Sequence, residues 1–489
     1  MAPNVLLITL DQFRGDCLSS AGHPVVKTPN LDALAAAGVR FARHYSQSSP
    51  CGPGRASLYT GMYQMNHRVV ANGTPLDDRF DNVARIARRA GYEPALFGYT
   101  DQSIDPRVTT GANDPRLATY EGVLPGFDCI LDLTGSHDPW RKFLAERGFD
   151  AEGSIIDLLA SEHLRPADAS VSSFLTSTLI DWIGDRSEPW FAHASYLRPH
   201  PPYSAAGEFS TMYAPDEVGV PIAPGEVRHP YHDILLAYDS TKAPTDADEL
   251  ARMRAQYFGM ISEVDSQLGR LWRALRTTGQ WDNTMIIVVA DHGEMLGDHG
   301  LREKVGYWEE SQHIVGIVRD PRHSGSHGRV VREFTENVDI VPTVCDAIGV
   351  PVPAQCDGLP LTSFLEGTDP PWWRTAAHWE FDWRSVLIPS AGEGWPWSRR
   401  LEQMNLAVRR DDDTAYVQFG DGSWLCFDLA ADSTWRTAVT DTHVVADKLR
   451  AMLLWRMEHA NRDHTGFLVD AGGKGRWPEN VPWRSNPVG

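Results

Sequence analysis

Apolar positions along the chain follow two spacings. Short continuous runs, Val5 to Leu10, Pro94 to Tyr99, Trp190 to Ser195 and Met285 to Ala290, are bounded by polar or turn residues and read as strands buried on both faces. Between them lie segments with helical periodicity. One is opened by Thr28-Pro29-Asn30 and closed by Gly38, with Thr28 the expected cap and Pro29 at the first helical position. Others cover Asn82 to Ala90, Ser170 to Ile183 and, the longest, Asp246 to Thr278. Strands alternating with helices predict an α/β fold, a large mixed sheet flanked by helices.

The pattern weakens in two places. From Asp105 to about Ala167 it predicts an irregular insertion with short helices, and the seven prolines from Pro201 to Pro244 predict a long loop of the kind that walls active sites. Beyond about Asp369 the texture changes to tryptophan-rich loops, with Trp372 to Trp397 expected at an interface or a pocket wall. Three short runs follow, Asn405 to Arg410, Thr414 to Phe419 and Trp424 to Leu429, joined by Asp411-Asp412-Asp413 and Gly420-Asp421-Gly422. They predict an antiparallel meander, with a helix near Val445 to Asn461 behind it. The expected division is a catalytic domain over 1–369 and a smaller C-terminal domain over 370–489.

Composition narrows the function. With 489 residues, 42% hydrophobic and 22% charged, the chain has the makings of a globular protein with a sizeable core. Its formal net charge of −20 argues against a general nucleic-acid binder, which needs basic surface, but leaves room for a small anionic substrate in a locally positive pocket. Val5 to Leu10 is too short for a signal-peptide core, and no run has transmembrane length, so no membrane partner is expected. Six scattered cysteines without metal or disulfide spacing fit a reducing, cytoplasmic setting.

Candidate chemistry sits at strand ends. Asp11 follows the first strand, and Asp291 and His292 follow the strand ending at Ala290, so they can converge at the carboxyl edge of a sheet. With the neutral amide of Gln12 they suit a hard divalent cation, Ca²⁺, Mn²⁺ or Mg²⁺. Taken singly, an Asp after a strand is as readily a turn former. Cys51, in Ser49-Pro50-Cys51-Gly52-Pro53-Gly54-Arg55, stands just before an expected helix start, where the helix N-terminus favours an anion.

The Cys-X-Pro-X-Arg run, with Leu58-Tyr59-Thr60-Gly61 behind it, resembles the sulfatase signature. The resemblance extends over nearly the whole chain and is closest to the phosphonate monoester hydrolase and arylsulfatase branch of the alkaline phosphatase superfamily. It is carried by Asn4 to Asp11-Gln12, Lys27 to Asp32, Met65-Asn66-His67-Arg68, Arg198-Pro199-His200-Pro201-Pro202, Asp291-His292-Gly293-Glu294 through His299, Lys304 to Tyr307 and Val338 to Thr343. It implies that a formylglycine-generating enzyme reads the unfolded motif and oxidises Cys51, and that Asp11, Gln12, Asp291, His292 and the oxidised Cys51 hold the metal. Arg55 would stabilise the formylglycine hydrate, and Asn72, Tyr99, His200 and Lys304 would line the pocket. His67, His193 and His299 are expected to be structural.

The implied chemistry explains the modification. A hydrated aldehyde carries two hydroxyls: one attacks sulfur or phosphorus, and deprotonation of the other, with His200 as base, expels the product by breaking a carbon to oxygen bond. Lys304 or His200 would protonate the leaving alcohol. Three departures bear on specificity. Tyr99 stands where ordinary sulfatases have a lysine, Gln12 replaces one of their paired aspartates, and Asp101 occupies the position of a pocket threonine of the phosphonate hydrolase branch. The first two point to a hydrolase promiscuous between sulfate monoesters and phosphonate monoesters or phosphodiesters; an ionised Asp101 would favour monoanionic esters. The relatives imply a homo-oligomer, tetramer or dimer. Two other readings stand beside this one: a metal-dependent phosphatase of the same superfamily, which would need Ser or Thr at position 51 and further Asp or His ligands, and a catalytically silent binding protein with unmodified Cys51.

Overall fold

The computed structural model describes residues 2–187, 189–384 and 402–460, together with 468–469, 472 and 474–476. Strand β1 (Asn4–Leu10) is buried along its whole length. Its side chains alternate between two cores. Leu6, Ile8 and Leu10 pack with Phe258, Ile261 and Leu268 of the long helix Ala247–Thr277, whereas Val5 and Leu7 pack with Met62, Val83, Ile86 and Val341 on the other face. Helices on both sides of the sheet are why this strand reads as an unbroken apolar run.

The main sheet has nine strands. β1 lies between β5 (Phe191–Tyr196) and β6 (Thr284–Val289), parallel to both, and β3 (Ala95–Gly98) and β4 (Asp128–Asp132) continue in parallel beyond β5. On the far side β8 (Gly316–Arg319) runs antiparallel to β6. β2 (Val39–Tyr45) pairs antiparallel with β8 and with β7 (His313–Ile314), and parallel with β9 (Arg329–Glu336).

Two expectations for the weakly patterned stretches change. The insertion contains the helices Asp138–Glu146 and Ile155–Ala160, as expected, but also β4, a sheet-edge strand with four exposed residues of its five, which carries little apolar signal. The proline-rich stretch is not all loop: Pro230–Ala237 is helical, opened by Pro230 and by the His229 ring accepting from the Tyr231 amide. Helix α1 (Pro29–Ala36) begins at Pro29 as expected, but Thr28 does not cap it. The Thr28 hydroxyl is taken by Ser19, whose amide donates to it at 3.0 Å, and the carboxylate of Asp265 on the long helix accepts from the amides of Asn30 and Leu31 at 3.1 and 2.7 Å.

A second, antiparallel sheet of four strands follows: β10 (Ala376–Asp382), β11 (Asn405–Asp411), β12 (Thr414–Phe419) and β13 (Trp424–Asp428), backed by the helix Thr442–His459. The meander has the strands expected from sequence, with β10 added at its edge. Trp379 stacks on Tyr45 of β2 with ring centroids 5.7 Å apart and so joins the two sheets, and Trp383 stacks at 4.3 Å on Tyr231 of the helix Pro230–Ala237. Trp372 is exposed. Trp395 and Trp397 lie outside the described residues. Among the described residues no helix is long and apolar enough to cross a membrane.

Candidate active site

Because β3, β5, β1 and β6 are parallel, their carboxyl ends share one edge. Tyr99, His200, Asp11, Asp291 and His292 all follow these ends. Helix α2 (Cys51–Thr60) meets the same edge with its N-terminus, starting at Cys51 itself, and every one of its residues is buried. It can approach so closely because residue 54 is glycine: a Cβ there would lie 2.5 Å from the carbonyl oxygen of Asp291. Asn72 supports the first turn, its Oδ1 accepting from the Gly52 amide at 2.8 Å.

Asp11, Cys51, Asp291 and His292 thereby form one buried cluster whose ligand atoms all lie within 4.8 Å of one another. Opposite ligands of a Ca²⁺ ion stand at about twice its bond length of ~2.4 Å, so the cluster has the right span for a hard divalent ion. The donors are also prepared for one. Asp11 Oδ1 is buried without a hydrogen-bond partner, as a free metal-facing oxygen is. His292 Nδ1 donates to the Gly293 carbonyl at 3.0 Å, which leaves the Nε2 lone pair facing Cys51 Sγ at 3.3 Å. Burial lowers the pKa of His292 despite Asp291.

Arg55, fully buried, ties the two carboxylates together. Its Nη2 donates to Asp11 Oδ2 at 3.0 Å, Nε to Asp291 Oδ2 at 2.9 Å and Nη1 to Ser195 Oγ at 2.7 Å. The Tyr99 hydroxyl donates to the same Asp11 oxygen at 2.6 Å. Burial would raise the pKa of Asp11, but His200, Arg55, His292 and Lys304 outweigh it and hold the carboxyl below the usual range. Cys51 goes the other way: burial, then Asp11 and Asp291, push its thiol far up, Lys304 notwithstanding. An unmodified Cys51 is thus a protonated thiol, which is a poor nucleophile.

Lys304 and His200 form the opposite wall. Lys304 Nζ donates to His200 Nε2 at 2.6 Å and to Gln12 Oε1 at 2.9 Å, and His200 Nδ1 faces the Pro201 carbonyl at 2.7 Å. Burial and Lys304 both lower the pKa of His200. Gln12, with a φ of 69°, turns sharply out of β1, and its backbone amide donates to Asp291 Oδ1 at 3.1 Å. Asp101 is beside Arg55, its Oδ2 3.6 Å from Nε, and burial raises its pKa to about 7 against the pull of Arg55.

All eleven site residues expected from sequence therefore stand around one edge of the sheet. His67, His193 and His299 are buried away from the cluster: His67 bonds Ser57, His193 bonds Tyr59 and Leu7, and His299 stacks on Trp308. Sequence reasoning gave no role to Ser195, Glu294 or Glu303. Glu294 lies within a quoted motif, but only contacts show what it touches.

The comparisons agree with this geometry. A family model described as Sulfatase matches residues 3–350. The multifunctional alkaline phosphatase superfamily protein PehA of Trinickia caryophylli is 35% identical over 95% of this chain and 97% of its own length. An arylsulfatase of Clostridium perfringens is 28% identical over 76% of this chain and 80% of its own. Among solved structures, the phosphonate monoester hydrolase of Agrobacterium radiobacter superposes with a TM-score of 0.88 at 41% identity, covering 97% of this chain and all of that one. With the signature cysteine at the head of a buried helix, inside a carboxylate and imidazole cluster, the chain belongs to the sulfatase family of the alkaline phosphatase superfamily, and is a hydrolase.

Proposed function

We propose that this protein is a formylglycine- and divalent-metal-dependent hydrolase of sulfate monoesters that also cleaves phosphonate monoesters and phosphodiesters. The observation that carries the reading is Cys51 at the first position of α2, among Asp11, Asp291 and His292. The names of the relatives, arylsulfatase, phosphonate monoester hydrolase and a multifunctional protein, support the substrate range. The oxygen-rich donor set supports Ca²⁺, Mn²⁺ or Mg²⁺. Cys51 is 4% exposed, so its oxidation by a formylglycine-generating enzyme has to precede folding.

The bound metal supplies positive charge to the transferred group, and the oxidised Cys51 supplies the attacking oxygen. The chain does the rest. Arg55 fixes Asp11 and Asp291 and offsets their charge, and the positive end of α2, its first turn held by Asn72, meets the same edge. With Nδ1 held by Pro201, His200 presents Nε2 to Lys304, a pair able to pass a proton to the leaving alcohol and to take one back.

Six cysteines scattered without metal or disulfide spacing fit a cytoplasmic location, and the exposed Leu449, Leu453, Leu454 and Met457 on the helix Thr442–His459 fit a homo-oligomer. A domain division at 369/370 fits the second sheet's beginning at Ala376. The function is tested with an aryl sulfate, an aryl phosphonate monoester and an aryl phosphate monoester on one preparation. The expected result is turnover of the first two above the third, all lost in Cys51→Ala. Preference for the phosphate monoester, or full activity in Cys51→Ala, contradicts the reading.

A further inference from the structure

The amide of Gln12 has two faces that differ in chemistry. On one side Lys304 Nζ lies 2.9 Å away, and an ammonium has only donors to offer, so the Gln12 atom facing it is the oxygen. The nitrogen then turns outward, and there it meets two carboxylates: Nε2 donates to Glu294 Oε2 in a short contact and reaches Glu303 Oε2 at 3.4 Å. Glu294 is completely buried. Its other oxygen, Oε1, accepts from the backbone amides of Leu296 and Glu303, both at 2.7 Å, so the carboxylate cannot rotate away. Three donors thus converge on Glu294, one on Oε2 and two on Oε1.

We propose that Glu294 is a positioning residue that turns Gln12 Oε1 toward the metal cluster, and that position 12 must be an amide as long as the Glu294 carboxylate stands behind it. This rests on the metal reading above, which makes Gln12 a ligand. A carboxylate at position 12 would bring its second oxygen against Glu294 Oε2 in a dry site, where like charges repel strongly. The ordinary paired-aspartate arrangement is thus barred here by residues outside the metal's own ligand set.

The pairing predicts a reciprocal rescue. In Glu294→Gln the amides of Leu296 and Glu303 keep the oxygen of residue 294 on their side, so its NH₂ group faces the NH₂ of Gln12, donor against donor. In Gln12→Glu two carboxylates face each other. The double variant places the NH₂ of residue 294 against the carboxylate of residue 12 and restores a donor to acceptor pair, while Lys304 still meets an oxygen.

The test is a double-variant cycle at pH 8 with two readouts: melting temperature in chelator, and Ca²⁺ or Mn²⁺ affinity of the metal-stripped protein by calorimetric titration. Each single variant should melt lower than the parent and lose roughly 10- to 100-fold in cation affinity, the range for removing a partner that orients a ligand, and the double variant should recover most of both. Single variants that match the parent, or a double variant no better than the worse single, overturn the proposal. The melting cycle needs no metal, so a parent protein that binds no cation refutes the metal reading, while the pairing is still decided by rescue or its failure.

Discussion

At the residue scale, the site works by giving each carboxylate a different neighbourhood. Asp11 and Asp291 are both bridged by Arg55, whereas Asp101, 3.6 Å from the same guanidinium and more weakly paired, is raised to about 7 by burial. Asp101 is the specificity residue to test. A second negative charge on a substrate at about 5 Å from it, in an effective dielectric of about 20, meets roughly 3 kcal/mol of repulsion. After screening by solvent and metal, Asp101→Thr should raise turnover of a phosphate monoester relative to a phosphonate monoester by at least about 10-fold. An unchanged ratio would remove Asp101 from the pocket. The positions of these residues were legible in sequence because strand ends and a signature motif announce them. Glu294 and Ser195 were not, since a buried carboxylate or hydroxyl that serves a ligand or an arginine has no spacing of its own; only the fold brings Gln12 and Glu294 together.

At the element scale, strands buried on both faces were plain in the sequence, and edge strands were not. β1, β3, β5 and β6 read as apolar runs, but β4, at the sheet edge, shows one buried residue, and β2 interleaves Arg40, Arg43 and His44 with its apolar positions. Caps show the same limit: Thr28 had the right identity for capping α1, and Asp265, from a helix far along the chain, does it instead. That long helix carries a further buried acid, Glu263, which accepts from the Ser170 hydroxyl at 2.6 Å. Burial, then the neighbouring Glu162, raises its pKa from 4.5 to about 7. A raised carboxyl pKa means the folded state holds the proton longer than the unfolded one. The stability this brings is complete below about 4.5 and is lost as pH climbs through about 7. Urea unfolding of the parent and of Glu263→Gln should therefore diverge in the variant's favour between pH 5 and pH 8. Parallel curves across that window would show that Glu263 ionises normally.

For the whole molecule, the two sheets share an aromatic core in which Tyr45 and Tyr231 from the first part of the chain pack with Trp379, Trp383 and Phe381. The change of texture near Asp369 is visible in the sequence, but this joint is not, because nothing in the spacing of the β10 aromatic residues tells that Tyr45 and Tyr231, far back along the chain, lie against them. On the outside, Leu453, Leu454 and Met457 are 51%, 54% and 72% exposed on one helix, an apolar cluster that a second copy of the chain would cover. Leu454→Glu with Met457→Glu should shift the mass by light scattering from dimer or tetramer to a smaller species while the melting transition persists. A parent protein that is already a monomer refutes the oligomer.

Cys51 is a suppressed thiol among carboxylates, useless as a thiolate yet placed where a nucleophile has to be. Mass spectrometry of the tryptic peptide His44 to Arg55, from protein made aerobically with a formylglycine-generating enzyme, reads it directly. The account predicts a peptide that has lost the elements of H₂S and gained one oxygen, in a fraction that tracks specific activity across preparations. A fully active preparation in which that peptide keeps its intact thiol would contradict it.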